Sequence, residues 1–298
     1  MTTHRPFWLA AAPAVFLILW SAGFGIAKLG LHHAEPMTVL ALRYVLVVAL
    51  LIPFALVLRP PLPATRRAWA DIAFVGFLIQ VVYFALCYMA FKLGVSAGGV
   101  AIIVCLQPIL IALTAPRFVG ERVGRMGWLG LLLGLAGAAL VIGARSSIAA
   151  ESPAGIALTV VALFGITLGT LWEKRFGVRH HPVTVNLIQY SVGAVVTLPL
   201  AWATETMHVD WTWEFIAALA YLVLASSLVA IGLLLAMIRA GEVSRVSALF
   251  YLVPPLSALF AWPMLGEAMP PLAWAGMVLA AGGVAIVSRR PATPAVID

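Results

Sequence analysis

Apolar residues in this chain are gathered into ten runs, which short polar connections separate. Each run holds about 20 residues, the length that a helix needs to cross the ~30 Å hydrocarbon core of a bilayer. No connection is long enough to form a soluble domain. The pattern predicts an all-α integral membrane protein with ten transmembrane helices, at about 7–29, 36–58, 68–92, 95–116, 124–143, 154–174, 182–204, 213–238, 243–265 and 271–288.

The second half of the chain repeats the first. A shift of 146 positions superimposes many identical residues, among them Lys28 on Lys174, Tyr44 on Tyr190 and Gly120-Glu121 on Gly266-Glu267. Each copy has five predicted spans, and an odd number forces the copies into opposite orientations. We therefore predict two inverted repeats, 1–145 and 147–291, followed by a short cytoplasmic tail, 292–298. Carriers that open alternately to the two sides of a membrane use this architecture, with the substrate near the midplane.

Composition and charge agree with a membrane location. The chain is 63% hydrophobic and only 10% charged, against about 25% charged residues in soluble proteins. Although the net charge is +7, the basic residues are sorted by side: 14 lie in alternate connections and near the termini, and only Lys28, Lys92 and Arg145 lie on the other side. The positive-inside rule then places both termini in the cytoplasm of a multi-pass inner-membrane protein, and we expect no nucleic-acid partner.

The predicted spans offer little for catalysis. All six histidines fall at the amino terminus or in connections, and every Asp and Glu lies in a connection or near a span end. A protease or metalloenzyme would need buried acids, histidines or an activated serine, so we predict no enzyme, no metal and no cofactor. A proton relay at depth is also missing. We therefore expect flux to follow the substrate gradient without strict need for a proton gradient.

Arg43 is the one charge that the sequence places deep in a span, and its repeat partner is Gln189. Two interpretations stay open. The side chain could bond neighbouring helices and backbone carbonyls, with its long stem reaching toward the interface. Alternatively, it could bind a carboxylate of the substrate directly.

Prolines interrupt the predicted fourth and ninth helices near their centres, at Pro108, Pro254 and Pro255. A proline inside a helix frees the carbonyl four residues earlier and bends the helix. In lipid such a carbonyl is tolerated only where it faces protein or a wet cavity. We expect these two helices to line the transport path, with the prolines as kinks or gates; simple kinking is the alternative.

Polar and aromatic side chains recur at helical spacing beside these prolines. A cavity with aromatic walls and neutral hydrogen-bonding groups suits a small zwitterion or an amphipathic neutral molecule. Gln107 and Tyr251 in particular are expected to face a common central cavity, although each aromatic taken alone could be a packing residue. The candidate cavity residues are Trp20, Phe24, Arg43, Gln80, Tyr83, Phe84, Gln107, Trp172, Ser244, Ser247 and Tyr251.

Small residues at steps of three and four follow the fifth and tenth spans. Such stripes let helices approach closely, so we predict tight packing there, with homodimerisation through helices 5 and 10 as the alternative. The protein is then a monomer or a homodimer. The stripes consist of Gly127, Gly130, Gly134, Gly137, Gly276, Ala280 and Gly283.

Three stretches resemble the twin EamA repeats of the drug/metabolite transporter superfamily: LWSAGFGIAKLG from Leu19, LQPILIALTAPRFVGERV from Leu106 and LVPPLSALFAWPMLGEAM from Leu252. The resemblance covers nearly the whole chain. It implies a ten-helix carrier that exports small metabolites, with helices one, three, four, six, eight and nine around a central cavity. Within the superfamily the chain is similar to the YddG-like amino-acid exporters.

The absence of further charges narrows the predicted cargo. A phosphorylated sugar would need several cationic partners, and Arg43 is the one cation available. The small multidrug relatives bind lipophilic cations through a glutamate that this first span lacks. We therefore predict an alternating-access exporter of small neutral or zwitterionic metabolites, above all aromatic or apolar amino acids, across the bacterial inner membrane. The alternatives are an exporter of other amphipathic metabolites or drugs, and a membrane scaffold that transports nothing.

Overall fold

The computed structural model describes residues 7–95, 97–145, 152–177, 180–240, 243–256, 259, 270–289 and 293–294. These residues form ten helical segments in chain order. They are α1 (Phe7–Gly30), α2 (Pro36–Leu58), α3 (Arg66–Lys92), α4 (97–118), α5 (Arg125–Arg145), α6 (Pro153–Phe176), α7 (Pro182–Thr204), α8 (Trp213–Ala240), α9 (Val243–Leu256) and α10 (Pro271–Arg289). Two short strands, β1 (Glu121–Arg122) and β2 (Thr293–Pro294), pair antiparallel.

Length and composition of the described helices fit a bilayer. Seven of them (α1, α2, α3, α6, α7, α8 and α10) contain a stretch long and apolar enough to cross a membrane, while α5 and α9 are shorter apolar helices. Outward side chains are strongly apolar: Val57 and Trp213 are each 82% exposed. The predicted all-α membrane class is confirmed. The Gly266-Glu267 pair and the predicted end of the ninth span lie outside the described residues.

Several helices begin where the sequence marks a start. Helices α2, α6, α7 and α10 each begin at a proline. Proline suits the first helical turn because its N–H would have no partner there and its φ is already helical. On α6 the preceding Ser152 accepts a hydrogen bond from the Gly155 N–H at 3.3 Å, which satisfies one of the free donors of the first turn.

The equivalent helices α2 and α7 run in opposite directions. At the start of α2, the Thr38 hydroxyl donates to the Glu205 carboxylate, just beyond the end of α7, at 2.8 Å. Near the start of α7, the Thr184 hydroxyl donates to the Pro61 carbonyl, just beyond the end of α2, at 3.1 Å. Equivalent ends of the two copies therefore lie on opposite sides of the molecule, as an inverted repeat requires.

Tyr44 and Tyr190 occupy equivalent places where α2 meets α7, with ring centroids 5.7 Å apart. The Tyr44 hydroxyl donates to the Gln80 carbonyl at 2.8 Å, and the Tyr190 hydroxyl donates to the Ser227 carbonyl at 3.0 Å. Both carbonyls belong to π-helical segments, Phe77–Ala85 in α3 and Leu222–Ala230 in α8. Because a π-helix departs from the usual i→i−4 bonding, its carbonyls can accept from side chains. The two hydrogen bonds thus correspond to within one residue, because the position equivalent to Gln80 is Ser226.

Helices α5 and α10 pack through the predicted glycine stripes. A Cβ atom on Gly130 would lie 2.7 Å from the Gly283 carbonyl oxygen, and one on Gly276 would lie 2.7 Å from the Gly137 carbonyl oxygen. Gly130 and Gly276 are equivalent positions, as are Gly137 and Gly283, so the two contacts are the same contact seen from each copy. The two helices therefore cross antiparallel. These faces are occupied within the chain, so a homodimer through the same helices would have to use their other faces.

The predicted prolines coincide with interruptions in α4 and α9. Helix α4 is broken into Ala97–Val104 and Gln107–Phe118, with Pro108 in the first turn of the second piece. Helix α9 changes to a 3₁₀ turn over Leu249–Leu252, directly before Pro254. The Phe250 carbonyl, which Pro254 leaves without its helical donor, accepts from Cys105 Sγ at 3.6 Å. The two interrupted helices therefore meet at their breaks.

Candidate functional site

A small cavity lies between the two repeats. Helices α1, α2 and α3 of the first copy and α8 of the second copy form its walls. Its volume is about 20 Å³, room for roughly one water molecule. The lining residues are Trp20, Gly23, Phe24, Ala27, Arg43, Tyr83, Phe84, Cys87, Tyr88, Phe91, Leu222 and Ser226.

A second space, of about 760 Å³, is a groove on the outer surface between α2, α3 and α7. Its walls are mainly leucine, valine and isoleucine side chains, with Arg59 and Thr184 toward one end. Such a groove faces the lipid and has few polar groups to orient a ligand. The interior cavity, with its convergent polar atoms and aromatic walls, fits the usual character of a ligand site better.

Five of the predicted cavity residues line this space: Trp20, Phe24, Arg43, Tyr83 and Phe84. Trp20 is the centre of the aromatic wall, because its ring is stacked on Tyr83 with centroids 6.4 Å apart and contacts Phe84 at 6.0 Å. Trp20 Nε1 and the Tyr83 hydroxyl have no hydrogen-bond partner among the described residues. A buried donor left unpaired costs about 1–3 kcal/mol, so these two groups are available to a ligand.

Gln80 does not line the cavity, although a regular helix would place it on the same face as Tyr83 and Phe84. It lies in the π-helical part of α3, whose wider turn changes which side chains share a face. Its Cβ instead lies close to Gly193 of α7, where an added methyl would come within 3.0 Å of it. The prediction for Gln80 assumed the 3.6 residues per turn of a regular α-helix, which does not hold in this π-helical segment.

The other predicted residues lie outside this cavity. Gln107 Nε2 donates to the Thr170 hydroxyl on α6 at 3.3 Å. Tyr251 is buried against Gly134 of α5, and its hydroxyl lacks a partner within the described part of the chain. Ser247 donates to the Ser244 carbonyl at 3.1 Å.

Trp172 lies at the α3–α6 contact, away from the cavity. Its Nε1 donates to Asp71 at 3.1 Å, and its ring packs between Phe74 and Phe176.

Arg43 is the charged group of the cavity and is 1% exposed. Its Nε donates to the Ser227 hydroxyl at 2.7 Å and its Nη2 to the Ser226 hydroxyl at 3.2 Å. The guanidinium also lies over the Phe84 ring, 4.6 Å from the centroid. None of these partners carries a negative charge, and the ion pairs found among the described residues do not include Arg43.

Ser226 and Ser227 were not among the predicted residues. The signal for them was present, since they are two adjacent hydroxyls inside an otherwise apolar run, and Ser226 is the repeat partner of Gln80. Sequence spacing did not reveal that α8 lies beside α2.

Glu173 is a second charged residue that the structure buries, although it lies near the end of a span, as the sequence predicts. Its side chain is fully buried near the end of α6. Its carboxylate accepts from Arg239 Nε and Nη2 at 3.0 and 2.7 Å, and from Gln189 Nε2 at 3.2 Å. Arg239 also donates to the His180 carbonyl at 2.9 Å. The protein therefore contains a buried carboxylate. We expected flux to be independent of a proton gradient partly because the sequence showed no such group, so that expectation is weakened.

Polar contacts close one end of the molecule. Glu35 accepts from Lys92 Nζ at 2.7 Å and from the Thr206 N–H at 2.8 Å. These hydrogen bonds, that from Lys92 first, hold the pKa of Glu35 below its ordinary value. Glu205 accepts from the Met37 and Thr38 N–H groups at 2.9 and 2.8 Å, where the positive end of the α2 dipole favours an anion. Helices α2, α3 and α7 are thereby tied together at this end.

Comparisons with known proteins agree with this architecture. A solved crystal structure superimposes with a TM-score of 0.79 over 95% of this chain and 98% of the other, at 20% identity, and shows the same fold. A probable amino-acid metabolite efflux pump of Salmonella typhimurium is 26% identical, covering 91% of each chain. An inner membrane transporter of Escherichia coli, YedA, is 22% identical over 94% of this chain and 91% of its own. The model of the EamA-like transporter family matches twice, over residues 7–143 and 153–289, and the chain belongs to this family.

Proposed function

We propose that this protein exports small neutral or zwitterionic metabolites, chiefly amino acids with aromatic or apolar side chains, across the bacterial inner membrane. The observation that carries the proposal is the aromatic cavity between the two copies, whose walls hold the Arg43 cation and the unpaired donors Trp20 Nε1 and Tyr83 hydroxyl. A relative named as an amino-acid metabolite efflux pump supports the cargo. The name of YedA supports the inner membrane.

Alternating access follows from the size of the cavity. Its 20 Å³ is far below the roughly 300 Å³ or more of typical ligand pockets, so an amino acid enters only after the walls separate. The walls belong to both copies, which makes relative movement of the repeats the simplest way to open the site. The interrupted α4 and α9, which meet at Cys105 and Phe250, provide breaks about which such a movement can turn.

Uptake of labelled phenylalanine into vesicles reconstituted with the pure protein tests this function. We expect saturable uptake, and a scaffold would give none. Trp20→Phe keeps an aromatic ring but removes the Nε1 donor, so apparent affinity should fall about two- to tenfold. Trp202, which is 79% exposed on the outer surface, offers a matched control: Trp202→Phe should leave affinity unchanged. Equal effects of the two variants would show that the cavity does not hold the cargo.

Both termini are proposed to be cytoplasmic, because 14 basic residues lie on one predicted side and three on the other. An alkaline phosphatase fused after Asp298 should therefore be inactive in bacterial cells, whereas a green fluorescent protein at the same place should fluoresce. Phosphatase activity would place Asp298 in the periplasm and would exclude this topology.

Gln107 and Tyr251 are proposed to contact the cargo once the site opens. Each has a buried polar atom without a partner among the described residues. Tyr251→Phe should weaken apparent affinity about two- to tenfold with folding unchanged. Gln107→Trp should block transport more completely than Gln107→Ala. Kinetics identical to wild type in Tyr251→Phe would limit this residue to packing α9 on α5, where its ring contacts Gly134.

A further inference from the structure

We propose that the cavity is a carboxylate-binding site, in which the substrate's carboxylate takes the place beside Arg43 and Ala27 that Glu173 fills in the other copy. This inference rests on the proposed export of small metabolites and makes it more specific. It predicts that a free carboxylate is required for binding, while the aromatic wall accepts the rest of the molecule.

The first support is the charge of Arg43. An arginine stays protonated in proteins and has five N–H donors. Two of them donate to Ser226 and Ser227, and the neutral hydroxyls of Tyr88 and Tyr190 also lie near the guanidinium. A buried charge is strongly unfavourable unless an opposite charge accompanies it. The described residues place no carboxylate beside this guanidinium, which lies at the cavity wall and over the Phe84 ring. A substrate anion would complete the pair.

The second support is the repeat itself. Position 43 corresponds to position 189, and position 27 corresponds to position 173. In the second copy, Glu173 accepts a hydrogen bond from Gln189 at 3.2 Å, so side chains at these two positions touch across α6 and α7. In the first copy the corresponding residues are Ala27 and Arg43, and both line the cavity. The carboxylate that the chain supplies in one copy is missing in the other, where the cavity and an unpaired cation are found.

The third support is the surrounding wall. Trp20 and Phe84 stand beside Arg43, and the Trp20 Nε1 donor has no partner among the described residues. A guanidinium that lies over an aromatic ring directs its N–H groups away from the ring, so the donors that Ser226 and Ser227 do not use can contact a carboxylate. The apolar part of an amino acid then falls against the rings. The cavity wall thus offers a cation for the carboxylate and an apolar surface for the side chain of an aromatic amino acid.

Binding to the wild-type protein tests the inference without any variant. The melting temperature of the purified protein is measured with phenylalanine, with phenylalaninamide and with 2-phenylethylamine, which share the ring but differ in the carboxylate. We expect phenylalanine to stabilise the protein at concentrations about tenfold or more below those of the other two. Equal stabilisation by all three would overturn the carboxylate site. Stabilisation by phenylalanine without uptake into vesicles would keep the site and reject export.

Ala27→Glu tests the position of the carboxylate, with Ala27→Gln as a control of the same size. The glutamate should pair with Arg43 as Glu173 pairs with its neighbours, so this variant should melt above Ala27→Gln. Its response to phenylalanine should weaken about tenfold more than that of the control. If Ala27→Glu melts below Ala27→Gln, or if phenylalanine stabilises both equally, the substrate carboxylate does not bind at this place.

Discussion

Replacing Arg239 with glutamine is expected to lower the free energy of unfolding by about 3–5 kcal/mol, the usual cost of removing one partner from a buried ion pair. Glu173 is 0% exposed and Arg239 is 12% exposed, so the variant would leave a carboxylate buried without its cation. Among the described residues, the Gln189 amide would be the remaining donor to it. Thermal unfolding of the purified protein in detergent measures the effect.

The pair of Lys92 and Glu35 offers a matched control, because its side chains are 43% and 31% exposed. Exposed pairs contribute at most about 1 kcal/mol, so Lys92→Gln should change the melting temperature little. The double variant Arg239→Gln with Glu173→Gln removes both charges and should be more stable than Arg239→Gln alone. If Lys92→Gln and Arg239→Gln are equally harmful, burial of Glu173 is not what makes the pair important.

Two adjacent glycines of α10 should respond to alanine in opposite directions. A Cβ atom on Gly283 would lie 2.5 Å from the Gly130 carbonyl oxygen, and backbone cannot move aside as a flexible side chain can. Gly283→Ala is therefore expected to destabilise the protein by about 1–3 kcal/mol, the range for overpacking. A Cβ on Gly282 meets nothing within 4 Å. Gly282→Ala should be neutral or stabilise by up to about 1 kcal/mol, because alanine loses less entropy in a helix than glycine.

Thermal unfolding of both variants under the same conditions measures the change in stability relative to wild type. We expect the two changes to differ in sign as well as in size. Because the two residues are neighbours on one helix, helix propensity affects them alike, and packing on α5 is what separates them. Similar melting temperatures for the two variants would mean that α5 and α10 pack less closely than the structure shows.

Membrane class, duplication and inversion could all be predicted from the sequence. In lipid every backbone polar group has to be bonded within its own segment, so spans appear as apolar runs of about 20 residues whatever surrounds them. Lys28 and Lys174 are separated by the same number of positions as Tyr44 and Tyr190. This common spacing indicates the repeat without any knowledge of contacts. Five runs per copy then require inversion. These conclusions depend on local composition and on counting, and the antiparallel packing of α2 with α7 agrees with them.

Side-chain chemistry was less accessible to sequence reasoning. Trp20, Phe24, Arg43, Tyr83 and Phe84 were chosen as polar or aromatic groups at helical spacing within apolar runs, and they line the cavity of the structure. Their contact with a substrate stays a prediction. Gln80 was misplaced because a π-helical segment in α3 changes the rotation per residue. Glu173 was read as a residue near a span end, but Arg239, 66 positions later in the chain, draws it into a buried ion pair.

By itself, then, the sequence determined the all-α membrane class and the two-repeat organisation of the chain, since a bilayer imposes on each segment a requirement that its own residues must meet. The tertiary structure alone decided which groups meet across helices. The hydroxyls of Ser226 and Ser227 reach Arg43 only because α8 packs beside α2 with a particular rotation. Such a rotation is set by the close packing of many side chains at once, and no local spacing carries that information.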